Sequence, residues 1–143
     1  MDKELRRLII LENYQNPYNK KKIEDSTYIK INTNNESCID NLDIYFKVEG
    51  GFIKDASFDG EACAISTSAT SIMLKSLIGK SVKEAKELLE NYQNMIIEKE
   101  YDKDLLKELN VYDEIYLQPN RKNCALLPSK AVEKLIRKLE NEN

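Results

Sequence analysis

Between residues 41 and 49 apolar and polar positions alternate: Leu42, Ile44, Phe46 and Val48 face one way, Asp43, Tyr45, Lys47 and Glu49 the other. A period of two places the two sets on opposite faces of a β-strand. Gly50-Gly51 then predicts a hairpin turn into another strand over roughly 52–58. Residues 27–33 alternate more weakly, with Ile29 and Ile31 on one side, and predict a further strand. The expected sheet has three short antiparallel strands with one apolar face.

After Cys63 the period changes from two to about 3.6. Ile65, Ala69, Ile72 and Met73 form a narrow apolar stripe that Gly79 ends. Ser81-x-x-Glu84 reads as a capping box opening a helix that buries Val82, Ala85, Leu88, Leu89, Tyr92 and Ile96. Residues 3–14 predict a helix with Leu5, Leu8 and Ile9 on one face, Asp2 as its cap and Pro17 beyond its end. "NPYNKKK" reads as a polar loop, a short helix is expected near 102–109, and 110–123 is mixed. The last helix is expected to start at Pro128 or Ser129, with Val132, Leu135, Ile136 and Leu139 inward. No repeat, low-complexity segment or linker interrupts this order. The expected class is α+β, a three-stranded antiparallel sheet packed with about five helices, as a single domain over 1–143.

A chain of 143 residues is long enough for one hydrophobic core. With 22 basic and 25 acidic side chains, the net charge of −3 gives no electrostatic case for nucleic acid. No apolar run approaches the roughly 18–20 residues a bilayer span needs, and the charged N-terminus is not a signal peptide. The expectation is no membrane association and a cytoplasmic location, with thiols kept reduced. There is no histidine, so the commonest general base is missing, which argues against Ser–His or Cys–His hydrolysis. Any metal site must be built from cysteine and carboxylate.

The three cysteines fall where elements are expected to end. Cys38 lies in "NNESCIDN" before the second strand, Cys63 between the third strand and the serine-rich helix, and Cys124 in "NRKNCALLPS" before the last helix. Asp40 stands two residues beyond Cys38. Three thiolates and one carboxylate make a tetrahedral set for zinc, and soft sulfur ligands favour zinc or iron–sulfur chemistry over magnesium or calcium. No pair has the C-x-x-C form, so the spacing alone is equally compatible with buried free cysteines and a loop-capping aspartate.

The order "NPYN", "CID", "FDGEACAISTSATSIM", "GKS" and "RKNCALLPSKAVEK" resembles the iron–sulfur cluster assembly scaffold family (IscU/NifU-like), and within it the SufU branch. The resemblance runs from about Leu5 to about Leu139. The long Cys63–Cys124 separation holds an extra helical region that SufU-type members carry. Asn123 precedes the last cysteine where IscU-type members have histidine.

The resemblance implies that Cys38, Asp40, Cys63 and Cys124 bind Zn2+, and that Cys38 accepts persulfide sulfur from a SufS-like cysteine desulfurase. Sulfur would then pass toward downstream iron–sulfur assembly proteins. Arg121 matches the SufU-type arginine three residues before the last cysteine and would offset the charge of four anionic ligands. Ile39 and Ala62 stand where the family usually has glycine, and Pro128-Ser129 where SufU-type members often have Ser-Trp. The small residues after Cys63 would let a partner loop approach it, with close helix packing as the alternative. The expected function is zinc-dependent sulfur transfer; the alternatives are a scaffold for a labile [2Fe–2S] cluster and a non-catalytic, zinc-stabilised interaction domain.

Overall fold

The turn at Gly50-Gly51 has both residues at positive φ, +58° and +78°, the conformation that matches the twist of a two-residue hairpin. In the computed structural model, which describes residues 1–35 and 39–142, this turn joins β2 (Asn41–Glu49) to β3 (Phe52–Glu61). Strand β2 also pairs antiparallel with β1 (Ile29–Asn34), so the sheet order is β1-β2-β3. The register sets Ile31, Ile44 and Phe58 side by side across the sheet, with Ile29, Phe46 and Ala56 in the next row. Leu42, Ile44, Phe46, Ala56 and Phe58 are fully buried, as the alternation requires, but Tyr45 on the opposite face is buried too and Val48 is only half-buried.

Strand β3 continues past residue 58 and ends beside β2 at Glu61. Its penultimate residue, Gly60, has φ +126°, and a Cβ there would lie 2.3 Å from the carbonyl oxygen of Asn41. Only glycine lets the two strands approach this closely. The segment after the first helix guards the open side of β3: Phe58 N–H donates to the Asn19 carbonyl at 3.3 Å, and the Asn19 amide donates to the Ala56 carbonyl at 2.5 Å.

The described residues also form five α-helices: α1 (Lys3–Gln15), α2 (Ala64–Leu77), α3 (Val82–Ile96), α4 (Lys103–Leu106) and α5 (Pro119–Asn141). Helix α3 starts with the expected capping box, both halves of which are formed. The short helix expected near 102–109 is α4 followed by a 3-10 segment, Lys107–Tyr112, and a second one, Ile115–Leu117, lies in the stretch expected to be mixed, whose end belongs to α5. The core lies between the apolar face of the sheet and α2, α3 and α5, and includes Leu74, Leu77, Leu88, Tyr92, Leu127 and Val132. Among the described residues, no helix is long and apolar enough to cross a membrane.

Two expectations are corrected. In α1 the expected face is out of phase in part: Leu5 and Leu8 are each 48% exposed, whereas Ile9, with Ile10, packs against the core and Asn13 is buried. Polar contacts supplement this packing, with the Ser71 hydroxyl of α2 donating to Asn13 Oδ1 at 2.8 Å and Arg6 paired with Asp113 at 2.9 Å.

The last helix starts at Pro119 and carries Pro128 in its interior. Pro119 occupies the first turn, where a missing N–H costs nothing. An interior proline ordinarily breaks a helix by leaving the carbonyl four residues back without its donor. Here side chains, three of them from neighbouring elements and one from Ser129 of α5 itself, reach four successive carbonyls of that turn. Ser66 is 3.1 Å from the Cys124 oxygen, Tyr92 donates to Ala125 at 2.7 Å, Ser129 to Leu126 at 2.6 Å and Thr33 to Leu127 at 2.9 Å. Tertiary donors overrule the local preference.

Candidate metal centre

Cys63 is the residue at which β3 has ended and α2 begins. Its backbone is extended (φ −67°, ψ 170°), and its Sγ accepts from the Ser66 N–H at 3.5 Å, so the thiol caps the helix. Capping positions take a side-chain acceptor because the first helical N–H groups have no partner within the helix. The close passage of Gly60 over β2 brings the end of β3, and with it Cys63, to the start of β2. Asp40 is the residue just before that start.

Asp40 is almost fully buried, at 1% exposure, and both its oxygens face the entrance of α2. Oδ1 accepts the Cys63 backbone N–H at 2.7 Å; Oδ2 accepts the Ser66 hydroxyl at 2.6 Å and lies 3.7 Å from Cys63 Sγ. The loop-capping and ligand roles weighed for this residue are therefore compatible, since a carboxylate oxygen that accepts one hydrogen bond keeps further lone-pair capacity.

Cys124 comes from α5, and this is a further correction. It lies in the helix, not before it, and is 2% exposed. Its Sγ approaches the Asn120 carbonyl one turn back at 4.0 Å. Burial is the main influence pushing the Cys124 thiol up to about 12, and the neighbouring Cys63 and Asp40 add to it. In the metal-free protein this thiol keeps its proton, so metal binding there must release one.

Asp40, Cys63 and Cys124 thus meet, with one ligand atom from each lying within 4.8 Å of the others. A tetrahedral zinc site with Zn–S near 2.3 Å spaces its sulfurs about 3.8 Å apart. The 3.7 Å between Asp40 and Cys63 is already close to that spacing, and the widest separation needs only a modest inward movement. Two thiols and a carboxylate in a site half-open at Cys63 fit a soft divalent metal.

Cys38, the fourth expected ligand, lies outside the described residues. Arg121 sits in the first turn of α5, exposed, three residues before Cys124 and so on the same side of the helix. Ile39, next to Asp40, is 72% exposed. Ala62 is not among the described non-glycine residues at positive φ, which are Asn19, Glu98 and Lys107, so its substitution for glycine carries no such strain.

The small residues of α2 face inward. Ser66 through Leu74 are buried, and the Ser68 hydroxyl lies 2.5 Å from the Tyr112 hydroxyl. Close helix packing, the alternative reading, accounts for this stretch. Sequence reasoning overlooked Ser66 as a neighbour of the centre. The available signals were its place in the first turn after Cys63 and the position of Pro128 four residues after Cys124.

Comparison with known proteins agrees with this architecture. The chain is 34% identical over 140 residues to the zinc-dependent sulfurtransferase SufU of Bacillus subtilis, covering 97% of this chain and 94% of the relative. It is 35% identical over 118 residues to the iron–sulfur cluster assembly scaffold protein IscU of Thermotoga maritima, covering 82% of each. The crystal structure of a putative iron–sulfur cluster assembly scaffold protein for the SUF system from Fervidobacterium islandicum superimposes with a TM-score of 0.83 at 34% identity, over 87% of this chain and 91% of that one. The family model of the NifU-like N-terminal domain matches residues 6–143, and the chain belongs to that family.

Proposed function

We propose that this protein is a zinc-dependent sulfur-transfer protein of iron–sulfur cluster assembly, acting in the cytoplasm as one domain over 1–143. The observation that carries this reading is the meeting of Asp40, Cys63 and Cys124 from three separate elements, in a chain related over nearly its whole length to a zinc-dependent sulfurtransferase. Cys38 completes the ligand set by resemblance, and Arg121 moderates its negative charge. Zinc, when bound, holds the cysteines as thiolates at neutral pH.

Cys38 is the sulfur acceptor in this reading, and the donor is the persulfide of a cysteine desulfurase. The Cys38 thiolate attacks the outer sulfur of that persulfide and forms a new S–S bond. The old S–S bond breaks, its electron pair leaves on the desulfurase thiolate, and the transferred sulfur keeps its proton. The new persulfide then serves downstream assembly proteins. The buried Asp40 and Cys124 stay anchored, and Cys63, half exposed, marks the side from which a partner approaches.

A desulfurase assay with and without this protein tests the reading, followed by mass spectrometry of the trapped chain. Stimulated turnover and persulfide on Cys38, lost in Cys38→Ser, are expected. Persulfide on Cys63 or Cys124 with Cys38 unmodified would reassign the acceptor; none anywhere beside an active desulfurase would end the sulfur-transfer reading. The similarity to scaffold proteins supports a second reading, assembly of a labile [2Fe–2S] cluster. A brown protein after purification would favour it, and a colourless one with one zinc would favour sulfur transfer. Zinc without stimulated turnover would leave the interaction domain.

A further inference from the structure

We propose that Ser66 is the positioning residue of the metal centre: its hydroxyl holds the Asp40 carboxylate toward the two thiols. This inference rests on the zinc reading above. Ser66 lies fully buried in the first turn of α2, and its Oγ stands between two acceptors from two other elements. These are Asp40 Oδ2 at 2.6 Å and the carbonyl oxygen of Cys124 at 3.1 Å. The hydroxyl has one proton, so it satisfies one acceptor at a time. The shorter contact goes to the carboxylate, where a hydrogen bond is charge-assisted and stronger.

The second acceptor exists because of Pro128. A regular α-helix would satisfy the Cys124 carbonyl with the N–H of residue 128, and proline has none. Cys124 therefore presents a thiol to the centre and an open carbonyl to Ser66. In a variant that lacks the Asp40 carboxylate, the hydroxyl has that carbonyl as its second acceptor and is not stranded in the core. Asp40 Oδ1 is held independently by the Cys63 N–H. The two bonds together fix the carboxylate's position and its rotation. Outer hydrogen-bond partners of this kind typically change metal affinity by about 10–100-fold when removed.

Two roles are open to such a hydroxyl, and a double-mutant cycle separates them. If Ser66 acts by positioning Asp40, Ser66→Ala loses zinc to a chromophoric chelator at about 10-fold lower chelator concentration or less. That defect disappears in an Asp40→Ala background and persists in Pro128→Ala, where an N–H at 128 again serves the Cys124 carbonyl. If Ser66 only fills that carbonyl's vacancy, the pattern reverses, and the proposal is overturned. It is equally overturned if Ser66→Ala keeps zinc as the wild type does, or loses it equally in every background.

Cobalt substitution gives a readout independent of activity, because its visible bands shift when the carboxylate is displaced; unshifted bands in Ser66→Ala would also overturn the proposal. Circular dichroism of the metal-free variants confirms that the fold survives, and Asp40→Asn replaces Asp40→Ala if the latter does not fold. A wild type that binds no zinc refutes the functional reading itself. A zinc-binding wild type with an indifferent Ser66→Ala refutes only the role of Ser66.

Discussion

The backbone N–H of Cys63 donates to Asp40 Oδ1 at 2.7 Å, joining two candidate ligands 23 residues apart in the chain. The contact makes the aspartate part of the fold before any metal arrives. Removing its carboxylate leaves the largely buried Cys63 N–H without its acceptor, at a cost of about 1–3 kcal/mol, while the Ser66 hydroxyl keeps the Cys124 carbonyl within reach. Asp40→Ala should therefore lower the denaturation midpoint of the metal-free protein as well as weaken zinc binding. Zinc binding is not abolished, because the thiolates remain. Urea titration with and without metal measures both; an unchanged metal-free midpoint would remove Asp40 from the list of structural anchors.

Gly60 carries a different share of the same geometry. A Cβ at 2.3 Å from the Asn41 carbonyl must push β3 off β2, and the backbone at φ +126° is itself closed to alanine. Gly60→Ala should destabilise the protein by about 2 kcal/mol or more, the range of a strained backbone substitution. Since Cys63 follows three residues later, zinc retention should fall with stability. A variant that melts with the wild type would show that the strands separate at little cost.

The Tyr28 hydroxyl donates to Asp55 Oδ2 at 2.6 Å, tying the segment after α1 to β3. That hydrogen bond is the main reason the Tyr28 hydroxyl is pushed up to about 12 from its ordinary 10.0. A raised folded-state value means that the contribution is complete below pH 10 and is lost as pH climbs toward 12. Tyr28→Phe should be less stable at neutral pH, and its midpoint should converge on that of the wild type across that alkaline window. Parallel curves in thermal melts from neutral to alkaline pH would contradict the linkage.

The sheet, its hairpin and α3 were legible because one buried face imposes a strict period and the turn and cap residues are local signals. The buried face of α1 was legible only at Ile9, because beside Ile9 and Ile10 that helix docks through Asn13 and Arg6, polar residues that a hydrophobic period overlooks. The start of α5 was misplaced for a related reason. Pro128 looks like a boundary until Ser66, Tyr92 and Thr33, all remote in sequence, are seen to serve the carbonyls around it. Asp40, Cys63 and Cys124 were found by residue type and resemblance, and spacing alone would not have joined them. Ser66 gave no periodic signal within a run of small residues; its place emerges only when α2, α5 and the loop before β2 are brought together.

Metal removal should loosen the protein without unfolding it. A zinc held by Asp40, Cys63 and Cys124 would cross-link the loop before β2, the entrance of α2 and the second turn of α5, and none of these is close to the others in the unfolded chain. Each is also held by contacts that need no metal. Asp40 is bound to Cys63 and Ser66, Cys63 caps α2, and Cys124 lies in a helix packed through Ala125, Leu127 and Val132 into the core. The core that includes Leu88, Tyr92 and Leu135 lies between the sheet and the helices and does not pass through the centre. Chelation should therefore leave helical circular dichroism unchanged while lowering the melting temperature. Backbone amide exchange should quicken first at the start of α2 and in the first turns of α5. Identical melting with and without chelator would show that the metal carries no structural load. Loss of helical signal on chelation would show that the contacts at Asp40 and Cys63 cannot hold the fold unaided.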